Sequence, residues 1–142
     1  MVHAAIIPCL RYGDAQSAIA FLCDAFGFER HAVYADDQDP SIVHHAQLVR
    51  DGCMIMVSSV ADTDHARKAG LKTVAEAGGN TQAPYLVIDD VDSHAAQAKA
   101  AGADVFMPPE DQDYGGRVYS ARDPEGYVWS FGSYDPFAAP QA

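Results

Sequence analysis

At 142 residues, with 49% hydrophobic residues, the chain is sized for one domain or two fused halves with a real core. A formal net charge of −11 and no basic cluster argue against a nucleic-acid partner, and no apolar run approaches the roughly 20 residues of a membrane span. The N-terminal Met1-Val2-His3-Ala4-Ala5 has neither the basic nor the apolar region of a secretory signal, so a cytoplasmic location is expected. Neutral or cationic small ligands are compatible with the acidic balance. Cys9, Cys23 and Cys53 are odd in number, widely spaced and set among apolar residues. That pattern predicts buried free thiols rather than disulfides or a CxxC metal site.

In chain order, Ala4 to Tyr12 is rich in strand formers, and Gly13-Asp14 breaks it. Asp14 caps a predicted helix to about Phe26, with Ala18, Leu22 and Ala25 on one face and Gly27 closing it. Strand-like runs follow at 29–34, 42–49 and 53–58, and Arg50-Asp51-Gly52 is a tight hairpin signal between the last two. Residues 59–81 show no sustained period and are predicted to connect two units, with a short helix around 64–69. Beyond them, 84–88 reads as a strand, and Asp90 or Asp92 caps a helix to Ala101 that Gly102 ends. Further strands are predicted at 104–107, 117–122 and 127–132. Asp123-Pro124-Glu125-Gly126 is a strong turn, and the tail from Asp135, with Pro136 and Pro140, is expected to be mobile.

The chain repeats itself. Pro8, Leu10, Asp14, Ser17, Ala20 and Ala25 recur at one constant offset as Pro84, Leu86, Asp90, Ser93, Ala96 and Ala101. Arg50-Asp51-Gly52 likewise matches Arg122-Asp123 and Gly126 once Pro124-Glu125 is allowed as an insertion. The period is too long for a solenoid, which repeats at roughly 20 to 50 residues. It suits an α+β fold of two βαβββ units: 1–60, a connector at 61–81, 82–134, and a tail at 135–142.

A doubled βαβββ unit with Arg11-Tyr12-Gly13-Asp14 and Ile88-Asp89-Asp90-Val91-Asp92 before its helices resembles the vicinal oxygen chelate superfamily. That group includes glyoxalase I, extradiol dioxygenases, fosfomycin resistance enzymes and bleomycin resistance proteins. Pro109-Glu110-Asp111-Gln112, Tyr114-Gly115, Arg117, Asp123-Pro124, Gly126 and Trp129 are similar to a glyoxalase-like branch, as is His45-Ala46-Gln47-Leu48. The resemblance implies incurved mixed sheets around a cavity. It also implies metal ligands on the first and last strands of each unit, at positions that here hold Ile7, Met56, Ala83 and Ser130. That set is unsuited to a hard cation, so no metal and no cofactor are expected.

Several residues compete for a ligand site. His44 and His45 are adjacent on a strand and point to opposite faces, so they cannot share an ion; His45 either lines the pocket or is a structural histidine. Asp111, Tyr114 and Arg117 form the best polar cluster. There Arg117 either presents its fork to a ligand or pairs with Asp111 or Asp113 and pins the loop. Tyr127, Trp129 and Phe131 share one strand face, which makes Trp129 a candidate ligand contact. Ser130 faces the other way, so if the cavity lies at the family's metal position, Ser130 and Met56 line it and Trp129 points away. His3, His31, His65 and His94 are read as surface residues. No GxGxxG, P-loop, GxSxG or HExxH pattern occurs.

The leading expectation is a homodimeric, metal-free protein that binds and sequesters a small molecule, with Pro8 resembling a hinge at which an N-terminal arm is exchanged. The alternative is a metal-dependent lyase, isomerase or dioxygenase whose site is rebuilt from His45, Glu110 or Asp111. Metal-free acid-base catalysis by Asp111, Tyr114 or Arg117 is a third reading.

Overall fold

The computed structural model describes residues 2–138. The first unit comprises β1 (Cys9–Tyr12), α1 (Ala15–Phe26), β2 (Glu29–Ala35), β3 (Val43–Arg50) and β4 (Cys53–Ser59). The connector holds α2 (Asp64–Ala69) and α3 (Val74–Ala77). The second unit comprises β5 (Tyr85–Val87), α4 (Val91–Ala100), β6 (Asp104–Asp111), β7 (Arg117–Arg122) and β8 (Val128–Gly132). Each unit closes its own mixed sheet, in the orders β1-β4-β3-β2 and β5-β8-β7-β6. The first strand of each runs parallel to the last, and the other pairings are antiparallel.

Local chemistry explains the boundaries. Asp14 accepts the Ser17 amide at 3.1 Å and Asp90 the Ser93 amide at 3.0 Å, so the two repeat copies start their helices with the same cap. Gly27 stops α1 in the left-handed region. The β3–β4 hairpin turns on Asp51 and Gly52, both at positive φ, as a two-residue turn of matching twist requires.

Alternation along the strands then builds one core. Leu10, Tyr12, Ala46, Leu48, Ile55 and Val57 are buried with α1, and Tyr119, Ala121, Trp129 and Phe131 with α4. The two helices pack on each other, so one face of each sheet belongs to a shared core and the opposite face is turned away from α1 and α4.

Polar groups lock the seam between the units. Buried Asp123 accepts the Tyr12 hydroxyl at 2.6 Å and the Trp129 indole N–H at 3.2 Å. The Glu125 carboxylate accepts the amides of Gly13 at 2.7 Å and Asp14 at 2.9 Å. His94 is not a surface residue. Half-buried on α4, it stands between the Tyr119 hydroxyl at 2.5 Å and an Arg50 Nη1 at 2.7 Å, because the helix face that carries it turns toward the first unit.

Four other expectations are corrected. The first strand starts at Cys9 rather than Ala4: Pro8 has no N–H to continue the ladder, although its carbonyl still accepts the Met56 amide at 2.9 Å. The second strand of the second unit runs on through Pro108-Pro109 to Asp111, since β6 is an edge strand whose register shifts around the prolines. The connector gains α3, started by a reciprocal capping box between Thr73 and Glu76. The cysteines are free, but Cys9 and Cys53 are exposed and only Cys23 is half-buried. Cys9 sits opposite the inward Leu10 and Cys53 directly after the turn. Of the tail, Asp135 accepts the Phe137 amide at 3.0 Å, and residues 139–142, including Pro140, lie outside the described residues.

Candidate functional site

The face of the first sheet turned away from the core carries a cleft of about 920 Å³. Its floor comes from β1, β3 and β4. Leu10 and Tyr12 face the core, so Cys9 and Arg11 face the cleft. Register pairs Cys9 with Met56 and Arg11 with Ser58, and Met56 in turn with Gln47. His45 stacks on Tyr34 with ring centres 6.1 Å apart, and its Nε2 lies 3.1 Å from the Gln47 amide nitrogen. The connector supplies the wall, including His65, Lys72, Thr73 and Asn80, and the start of the second unit adds Ala83 and Tyr85.

Two contacts hold the cleft against the rest of the molecule. Tyr127 donates its hydroxyl to the Arg11 carbonyl at 2.9 Å and accepts the Arg11 amide at 3.2 Å. Burial pushes this phenol above its ordinary value, and the hydrogen bond to the Arg11 backbone opposes that shift. Asn80 donates its side-chain amide to the Gly126 carbonyl at 2.9 Å and accepts the Val128 amide at 3.2 Å, which ties the connector to the second unit.

Of the candidate ligand contacts read from the sequence, His45 and Met56 line the cleft, and Asp111, Tyr114, Arg117, Trp129 and Ser130 do not. Trp129 is 2% exposed and lies on the core side, so as a direct ligand contact it is corrected: its ring fills the seam and its N–H is used by Asp123. Burial raises the Asp123 carboxyl from its ordinary value, and the Tyr12 hydroxyl is the first of several donors that oppose the rise. Ser130 lies on the uncovered face of the second sheet, its hydroxyl 2.7 Å from that of Ser120. Arg117 pins its hairpin, donating to Asp92 at 3.1 Å and Asp111 at 3.2 Å. Those hydrogen bonds raise its pKa further. Tyr114 packs edge-on against Tyr134, 5.0 Å away.

Sequence reasoning passed over Arg11, Ser58 and Lys72. Arg11 was legible: alternation around the apolar Leu10 and Tyr12 turns it outward. Lys72 was not, because a connector without periodicity gives no sign that it folds over a sheet.

The chain belongs to the Glyoxalase/Bleomycin resistance protein/Dioxygenase superfamily. That family's model matches residues 1–131. An uncharacterized protein of Mycobacterium bovis is 34% identical over 134 residues, covering 92% of this chain and 84% of its own length. A counterpart in Mycobacterium tuberculosis matches at the same identity over 75% of its length. TioX from Micromonospora sp. ML1 superposes with a TM-score of 0.71 at 27% identity, covering 92% of this chain and 98% of TioX. The fosfomycin resistance protein FosX of Mesorhizobium loti shares the fold, with a TM-score of 0.66 at 15% identity over 96% of this chain and 97% of FosX.

A mutant of the FosX from Listeria monocytogenes has been crystallised with Mn(II), so the donor chemistry here matters. At the positions the family resemblance assigns to metal ligands, the Met56 thioether contacts the Cys9 thiol at 4.0 Å, Ser130 is paired with Ser120 on the other sheet, and Ile7 and Ala83 have no donor side chain. This set does not fit a hard divalent cation. A rebuilt site finds no geometry either: His45 lies on β3 and Glu110 and Asp111 on β6. Among the described residues no three His, Cys, Asp or Glu side chains come together to hold an ion. Among the described residues no helix is long and apolar enough to cross a membrane.

Proposed function

We propose that the protein binds an organic small molecule in the cleft on its first sheet, without a metal, and holds it rather than transforming it. The observation that carries this reading is the pairing of a large cleft with a family ligand set that cannot coordinate. Apolar Cys9, Met56, Ile42 and Leu71 give a ligand surface to bury, while Arg11, Ser58, His45 and Asn80 give it a few polar anchors.

The proposal includes a cytoplasmic homodimer. The uncovered face of the second sheet leaves Tyr85, Val87 and Met107 39%, 43% and 55% exposed, and Ile6, in the segment before β1, is 97% exposed. A second copy laid on this face would bury them and close the cleft of its partner, with Pro8 at the hinge of any exchanged arm. Light scattering at micromolar concentration tests the assembly, and a monomer would end that part.

Metal analysis combined with native mass spectrometry of the purified protein tests the binding reading. The expected result is no stoichiometric zinc, nickel, iron or manganese. Adding EDTA is likewise expected to leave the melting temperature unchanged. A stoichiometric ion that is lost on His45→Ala would overturn the proposal in favour of a metal enzyme.

A further inference from the structure

The charge of the cleft is opposite to that of the molecule. The chain carries 20 Asp and Glu against 9 Lys and Arg, yet none of the residues lining the cleft is acidic, while Arg11, Lys72, His44, His45 and His65 all line it. The connector arranges this. Its acids are engaged elsewhere: Asp62 pairs with Arg67 at 2.7 Å, Asp64 with Lys68 at 3.1 Å, and Glu76 accepts the Thr73 amide and hydroxyl at 3.2 Å and 3.0 Å in its capping box. Two acids stand near the rim: Asp36 is 3.0 Å from the His44 Nε2, and the Glu76 carboxyl, its pKa lowered first by hydrogen bonds to Thr73, also feels the Arg11 charge without forming an ion pair with it.

Arg11 is the centre of this charge. Among the described residues it forms no ion pair. Its Nη2 donates to the Ala61 carbonyl at 3.1 Å, and its Nε is buried with no hydrogen-bond partner. A guanidinium has five donors and no acceptor, so the half-buried Arg11, with its Nε unpartnered, keeps donor capacity for an incoming acceptor. A carboxylate is the planar two-oxygen partner that a guanidinium fork matches. Beside Arg11 on the same face lie Cys9 and Met56, which offer an apolar bed and no second charge.

From this we infer that the cleft selects an amphipathic organic anion, an apolar body bearing one carboxylate, with Arg11 as its principal anchor and Lys72 as a second cation. The inference rests on the proposed binding role of the same cleft and names the ligand class. It also replaces the cationic ligand that net charge alone suggests, because a lining of local cations outweighs distant surface acids at contact range, where screening over about 8 Å removes the far field.

Isothermal titration with three probes on the full chain tests it: 2-naphthoate, its uncharged isostere 2-naphthamide, and inorganic phosphate. Naphthoate is expected to bind at least about tenfold more tightly than naphthamide, as one charge-assisted contact provides. That preference should shrink with added salt and on Lys72→Met, and collapse on Arg11→Gln. Phosphate should compete poorly because it has no apolar body. Equal binding of acid and amide would overturn the anion preference while leaving the binding role standing. Equal competition by phosphate would overturn the amphipathic requirement. Failure of both aromatic probes to bind would overturn the inference together with the binding role. The comparison of acid with amide needs only the unmodified protein, so it decides the matter even if Arg11→Gln does not fold.

Discussion

The two units share a fold and differ in what they do with their uncovered sheet faces. On the first, Arg11, Ser58 and His45 stand above Cys9 and Met56, and the connector folds over them to make a cleft. On the second, the equivalent rows hold Tyr85, Ser130 and Ser120, with Val87 and Met107 beside them; the two serines bond each other, and of these five residues Tyr85 alone lines the cleft that the connector walls. Duplication supplied two similar sheets, and the chain between them gave one a wall. The other was left as an apolar surface. The covered faces did not diverge in this way: both are packed into one core and joined at Asp123.

The largest expected effect separates core from cleft. Asp123→Ala removes the acceptor of Tyr12, Trp129 and the Glu125 and Tyr127 amides, leaving buried donors unpaired. A loss of about 3 kcal/mol or more in urea unfolding is expected. Trp129→Phe keeps most of the ring volume and loses one hydrogen bond, so about 1 to 2 kcal/mol is expected, again at the seam. If Trp129→Phe instead changed ligand affinity with stability intact, the assignment of this ring to the core would be wrong.

The seam also predicts a pH dependence. Burial lowers the His94 pKa, the hydrogen bond to the Phe26 carbonyl opposes this, and the Arg50 charge adds to the lowering. Nε2 lies 2.7 Å from the Arg50 Nη1 and 3.3 Å from the Phe26 carbonyl, so in the neutral ring it accepts from Arg50 while Nδ1 carries the proton toward Tyr119, and only the protonated ring donates to Phe26. An unfolded histidine titrates near about 6.5. The neutral ring therefore contributes stability above that value, and the contribution is lost as pH falls through the lower folded value. His94→Gln should flatten the stability profile between neutral and mildly acidic pH. An unchanged slope would remove His94 from the account.

The smallest effect belongs to the hairpin of the second unit. Arg117→Ala breaks two solvent-exposed ion pairs and is expected to move the unfolding midpoint hardly beyond error, with ligand affinity unchanged. A marked loss of affinity would place ligand there after all and dissolve the contrast between the units.

Much of this fold was legible because the signals were local. Asp14, Asp90, Gly27 and the Asp51-Gly52 turn each act through neighbouring backbone, and the repeat showed that such signals came in pairs. The site was less legible. His45 and Met56, named from the family pattern, line the cleft, whereas Arg117 and Trp129 are attractive as residue types but are engaged by Asp92 and by Asp123. The Arg117–Asp111 pair was open to sequence reading, whereas the bond from Arg117 to Asp92 and the burial of Trp129 against Asp123 depend on tertiary packing. The four-residue α3 is too short for any period and left only the Thr73–Glu76 cap as a clue. Yet this connector walls the cleft and engages its own acids away from it.

Two exposed cysteines on the same sheet allow the central contrast to be measured within one molecule. Cys9 lines the cleft, and Cys53, beside the hairpin turn, does not. Alkylation by iodoacetamide, followed peptide by peptide in a mass spectrometer with and without saturating 2-naphthoate, reads both thiols at once. Ligand should slow modification of Cys9 severalfold and leave Cys53 unchanged, whereas bound ligand that protects neither thiol, or both equally, would contradict a binding site on the uncovered face of the first unit.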